Sequence, residues 1–113
     1  VILVLLESPY RGATDAETAE NVAYARACMR DCFDRWEYPF ASHLLYTQPG
    51  ILNDAIDSER NLGILAGLAW GNHATKTVVY QDRGISRGMK QGIEAARDAG
   101  RAIDYRWLDG RSA

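Results

Sequence analysis

Glu7 and Ser8 close an apolar run at the front of the chain, and His43 follows a second short apolar stretch. A nucleophilic serine needs a base within hydrogen-bond reach, and that base needs an orienting acceptor. If two strand ends lie side by side, Ser8, His43 and Glu7 supply nucleophile, base and orienter for hydrolysis of an activated ester. The bland alternative for Ser8 is a turn residue, since Ser-Pro pairs initiate turns. For His43 it is packing beneath a loop.

A second stretch points to binding. Thr77–Met89 reads TVVYQDRGISRGM, an apolar run, a polar turn and a helix start. In open α/β sheets ligands lie beyond the carboxyl ends of the strands, and a helix N-terminus there offers free N–H groups to an anion. Asp82, Ser86, Arg87, Gly88 and Met89 are therefore candidate ligand contacts, joined across the crevice by Tyr10, Arg11 and Gly12. The competing reading is a helix capped by Ser86, with solvated loop charges and no ligand. No His, Cys, Asp or Glu cluster has a metal-ligand spacing, so neither metal nor cofactor is expected. Cys28 and Cys32 sit four apart in a helical pattern and read as buried, reduced thiols.

These residues need elements to hold them. Val1–Leu6 is apolar without alternation, as in a strand covered on both faces of a parallel sheet. Thr14 with Glu17 forms a capping box opening the first helix, whose inner face reads Val22, Ala25, Met29 and Cys32. Trp36 stands at the end of this helix, where a glycine is the usual choice. Tyr38–Ser42 reads as a short strand. Residues His43–Asp57 show no period, and a connection of about fifteen residues in a compact domain is usually functional or mobile, here a flap over the crevice. Asp57 or Ser58 caps the next helix, in which Leu62, Leu65, Ala66, Leu68 and Ala69 are apolar, and Gly63 and Gly67 share a face that admits the sheet or another subunit. The last helix carries a stripe of Met89, Ile93, Ala96 and Gly100. Ala102–Trp107 reads as a strand and Leu108–Ala113 as a polar tail.

The alternation of strands and helices predicts a three-layer, Rossmann-like or flavodoxin-like α/β domain spanning residues 1–113, with about four parallel strands in the order 2-1-3-4. That order puts a switch point between the first and third strands. Ser8–Gly12 and Gln81–Ser86 then face each other, with His43 at the flank and Asp54–Asn61 closing from above.

At 113 residues, 47% hydrophobic, the chain is one ordinary domain. A net charge of −2 without Lys or Arg runs argues against a nucleic-acid polymer as partner. No apolar run reaches membrane-spanning length, so a cytoplasmic protein without membrane contact is expected. A second copy of the chain remains a candidate partner.

Together SPYRG, PFASHLLYTQPG, ERNLGILAGLAW and DRGISRGM resemble small phage and bacterial proteins of the nucleoside 2-deoxyribosyltransferase-like superfamily. The resemblance spans nearly the whole chain and implies a small nucleoside or nucleotide ligand. In the transferases a glutamate in a Glu-x-Gly-x-Ala pattern attacks the sugar carbon. The matching segment here is Leu65-Ala66-Gly67-Leu68-Ala69. Leucine has no lone pair to offer, so the resemblance implies a nucleoside-binding domain inactive as a transferase through this position, either natural or an engineered variant of the scaffold. Glu59 lies six residues earlier. Leu65 is expected to be buried and to face the crevice. The Ser8–His43 esterase is the alternative.

Overall fold

Val4, Leu5 and Leu6 are each at most 4% exposed, as a strand covered on both faces requires. They belong to β1 (Leu3–Glu7) in the computed structural model, which describes residues 1–108. The other elements are α1 (Asp15–Asp34), β2 (Tyr38–Phe40), α2 (Ser42–Leu45), α3 (Asp57–Gly71), β3 (Lys76–Tyr80), α4 (Arg87–Asp98) and β4 (Ala102–Arg106). All strand pairs are parallel and the order is β2-β1-β3-β4, the predicted α/β architecture. The proposed tail beyond Leu108 lies outside the described residues.

Successive side chains of a strand point to opposite faces, and β1 shows the division. Val4 and Leu6 pack with Val78, Tyr80, Cys28 and Cys32 beneath α1. Leu5 and Glu7 turn the other way, Leu5 against Gly71 of α3 and Glu7 against Gly92 of α4. On that face Val79 meets Met89 and Ile93. Both cysteines are free and buried.

Three expectations change in detail. The buried stripe of α1 is Asn21, Ala25, Cys28 and Cys32, a rotation from the predicted face. Asn21 is drawn inward because its side chain has two loops to join. The supposed flap starts with the single turn α2, and Leu52 N donates to Tyr46 O at 3.0 Å, closing a compact loop with its own hydrogen bonds. Gly100 is no part of the α4 stripe. It has φ +67° just beyond the helix, with Gly100 N donating to Arg97 O and Arg101 N to Ala96 O, a Schellman motif.

α1 ends in the same motif with a different residue. Trp36 N donates to Phe33 O and Glu37 N to Cys32 O, and Trp36 holds φ +61° with its side chain 85% exposed. The site expected to favour glycine does adopt the left-handed conformation, and a tryptophan bears the strain.

A charged network that the sequence pattern did not reveal covers the outer strands. Arg106 donates to Glu37 through both terminal nitrogens, at 2.8 and 3.1 Å, and to Asp104 at 3.0 Å. Lys76 lies 2.9 Å from Glu37 and 2.7 Å from Asp104. No helix among the described residues is long and apolar enough to cross a membrane.

Candidate active site

The β1–α1 loop closes tightly over the start of α1. Thr14 accepts a hydrogen bond from Glu17 N at 3.1 Å, and Gly12 N donates to Thr18 Oγ1 at 3.0 Å. A Cβ on Gly12 would lie 2.5 Å from Glu17 Cβ and 2.9 Å from Thr18 N, so this approach requires glycine. Opposite this loop stands the Thr47–Ala55 segment. Between them is a cavity of about 690 Å³, bounded also by Glu59 at the start of α3. A smaller recess of about 80 Å³ shares Thr47, Leu52, Asp54 and Glu59 with it, and adds Ser42, His43, Tyr46 and Gly63.

The lining is rich in groups that bind hydroxyls: Thr14, Thr18, Thr47, Asn53 and the carboxylates Asp15, Asp54 and Glu59. Arg11 also lines the cavity, and its guanidinium donates to Asp54 O at 2.9 Å and Asp54 Oδ2 at 3.3 Å. Glu59 Oε1 accepts from Asn53 N at 3.0 Å, which ties the loop to the first turn of α3.

The predicted contacts divide. Tyr10, Arg11 and Gly12 line the large cavity and His43 the small recess, whereas Glu7, Ser8, Asp82, Ser86, Arg87, Gly88 and Met89 line neither. Ser8 Oγ and His43 Nε2 do meet, at 2.7 Å. Burial pushes the His43 imidazole down to about 4, so the ring is neutral at neutral pH. Ser8 is only 5% exposed. No hydrogen bond joins Glu7 to His43 among the described residues, and the Glu7 carboxyl sits where a side chain on Gly92 would collide. Burial pushes that carboxyl up to about 8, against the opposing pull of Arg101.

The β3–α4 corner is fastened to the protein. Asp82 accepts from Tyr24 Oη at 2.6 Å and from Leu108 N at 2.9 Å. Arg83 donates to Asn21 Oδ1 at 2.8 Å, and Asn21 Nδ2 donates to Tyr10 O at 2.9 Å, so one buried amide links the two loops of the switch point. Ser86 Oγ accepts from Met89 N at 3.2 Å, while Met89 Sδ accepts from Ser86 N at 3.3 Å. Met89 is a core residue, and Arg87 and Gly88 are exposed.

Leu65 is 62% exposed and lines neither cavity, contrary to expectation. The packed face of α3 is its glycine row. A Cβ on Gly63 would meet Leu52 at 3.4 Å, one on Gly67 would meet Ser42 Oγ at 2.6 Å, and one on Gly71 would meet Leu5 at 2.9 Å. At 100° per residue Leu65 points about 160° away from Gly67, on the opposite side of the helix. Gly63 and Gly67, expected to share a face of close approach, do so, and it is the burial expected of Leu65 on the same helix that fails.

The all-parallel 2-1-3-4 sheet with its flanking helices is an α/β fold that matches the deoxyribosyltransferase-like fold. It is similar to the solved structure of a 2-deoxyribosyltransferase from the psychrotolerant bacterium Bacillus psychrosaccharolyticus, with a TM-score of 0.64 and 17% identity over 98% of this chain and 76% of that one. This likeness is one of fold. No protein of curated function matches the chain. The chain belongs to the family described as Domain of unknown function (DUF7768), which matches residues 2–106.

Proposed function

We propose that the cavity between the β1–α1 loop and the Thr47–Ala55 loop binds a nucleoside, with the sugar hydroxyls held by the Thr, Asn and carboxylate groups of its wall. The observation that carries this reading is the cavity itself. Its volume of about 690 Å³ falls within the range of small-ligand sites, roughly 300–1,000 Å³, and it opens at the carboxyl end of a central parallel strand. The fold shared with a 2-deoxyribosyltransferase supports the class of ligand.

Charge favours a nucleoside over a nucleotide. Arg11 is already paired with Asp54, leaving Asp15 and Glu59 as further negative charge in the wall, and a phosphate there would meet net repulsion. The Ser8–His43 pair supports an esterase less well, because Ser8 is buried and lines neither cavity.

Titration calorimetry with nucleosides and their 5′-monophosphates tests the proposal. Nucleosides should bind, monophosphates should bind more weakly, and Ala55→Trp, which fills the cavity from an exposed loop position, should abolish both. Nucleoside affinity untouched by Ala55→Trp would place the ligand elsewhere.

A further inference from the structure

α3 buries its small residues and exposes its large ones. Gly63, Gly67 and Gly71 take the contacts with Leu52, Ser42 and Leu5, whereas Leu62, Leu65 and Trp70 are each more than half exposed. α4, on the same face of the sheet, is built the other way: Met89, Ile93 and Ala96 are buried, and Lys90, Glu94 and Arg97 face solvent. No Asp, Glu, Lys or Arg occurs from Asn61 to Thr75 to make the outer side of α3 a solvated one.

Leu62, Leu65, Ala66 and Ala69 fall at i, i+3, i+4 and i+7, the spacing of a seam between two helices. Trp70, one turn beyond Ala66, continues the face to Phe40, whose ring centroid lies 5.7 Å from its own. Together these side chains leave on the order of 400 Å² of apolar surface open to solvent, close to the apolar share, a little over half, of the roughly 800 Å² that each partner gives to a stable interface.

The face is complementary to itself. With two α3 helices set antiparallel about a two-fold axis beside residues 65 and 66, Leu62 of each copy lies on Ala69 of the other, large on small, and Leu65 meets its own counterpart. The N-terminus of each helix then lies by the C-terminus of the other, so the dipoles attract, and the seam buries no charge. We propose that this outer face of α3 joins two copies of the chain in a two-fold dimer. The glycine row on the other side of the helix is already occupied by the chain itself.

Sedimentation velocity over a range of concentrations tests this with Leu65→Glu and Leu65→Lys, each checked by far-UV circular dichroism. Leu65 is mostly exposed within its own chain, so both variants should fold. The expected result is a dimer of the native chain at micromolar concentration and a dissociation constant at least about 100-fold higher in either variant, since like charges meet at the axis. Mixed in equal amounts, the two variants should dimerise again, because opposite charges then meet there. A native chain that stays monomeric throughout the range would overturn the dimer. A dimer undiminished by Leu65→Glu would overturn the assignment to α3. Variants that remain monomeric when mixed would overturn the pairing of this face with itself and point to a different protein as its occupant.

Discussion

The two sides of the carboxyl end of β1 use polar residues in opposite ways. On the α4 side the β3–α4 loop spends them internally: Asp82 on Tyr24 and Leu108, Arg83 on Asn21, Ser86 and Met89 on each other. On the α2 side Thr18, Asn53, Asp54 and Glu59 surround about 690 Å³ of open space. A loop with glycine, charges and a helix start has the composition of a ligand site and also of a fastener. The distinction lies in whether the side chains leave open space between them: Thr18, Asp54 and Glu59 line the cavity although each already holds a hydrogen bond.

Breaking the link between the two sides should have the largest effect. Asn21 is buried and joins Tyr10 O to Arg83. Asn21→Ala removes both bonds, leaves a buried acceptor unpaired and opens a cavity, at a cost of about 2–3 kcal/mol. Urea unfolding should show that loss, and hydrogen exchange should rise in both loops. A rise confined to one loop would mean that the amide does not couple them.

The pH dependence sharpens the contrast by about 2 kcal/mol. Glu7, raised to about 8, gives stability that is complete below the unfolded carboxyl value and lost as pH rises towards 8. His43, lowered to about 4, gives stability complete above its unfolded value of 6.5 and lost as pH falls towards 4. Between roughly 4.5 and 6.5 the two oppose each other and the profile is flat. From 6.5 to 8 Glu7 acts alone, at about 1.4 kcal/mol per unit. Unfolding free energies at pH 6.5 and 8 should differ accordingly, and Glu7→Gln should remove the difference. A flat profile over that interval in the native chain would refute it.

The smallest effect has the opposite sign and concerns the two Schellman motifs. Gly100 and Trp36 hold nearly the same φ, +67° and +61°, yet only the glycine does so without strain. Trp36 is almost fully exposed, so Trp36→Gly forfeits little packing and should stabilise the chain by about 1 kcal/mol. A thermal melt with no increase in Tm would show that the indole makes up the difference.

Much of the frame was legible because it rests on local signals. The unbroken apolar run of β1, the Thr14 and Ser86 caps and the left-handed position at Trp36 each follow from neighbouring residues. The meeting of Ser8 and His43 followed from strand order. The orientation of α3 did not, since leucines and glycines compete for the same helix and a propensity count ranks leucine as the core residue. The close approach of the Leu52, Ser42 and Leu5 side chains to the helix at Gly63, Gly67 and Gly71 decided otherwise.

The sequence by itself therefore determined the four strands, the three long helices and their parallel order, because periodicity, capping and crossover rules act over short stretches or on the chain order alone. The tertiary structure alone decided which corner is open. Asp82, Arg83, Asn21 and Tyr24 find one another across 58 to 62 residues of chain, and the pairing that closes one corner depends on distances that no local pattern encodes. The same holds for Glu59 and Leu65: both are visible in the sequence, but only packing against α2 and β1 turned one toward the cavity and the other to solvent.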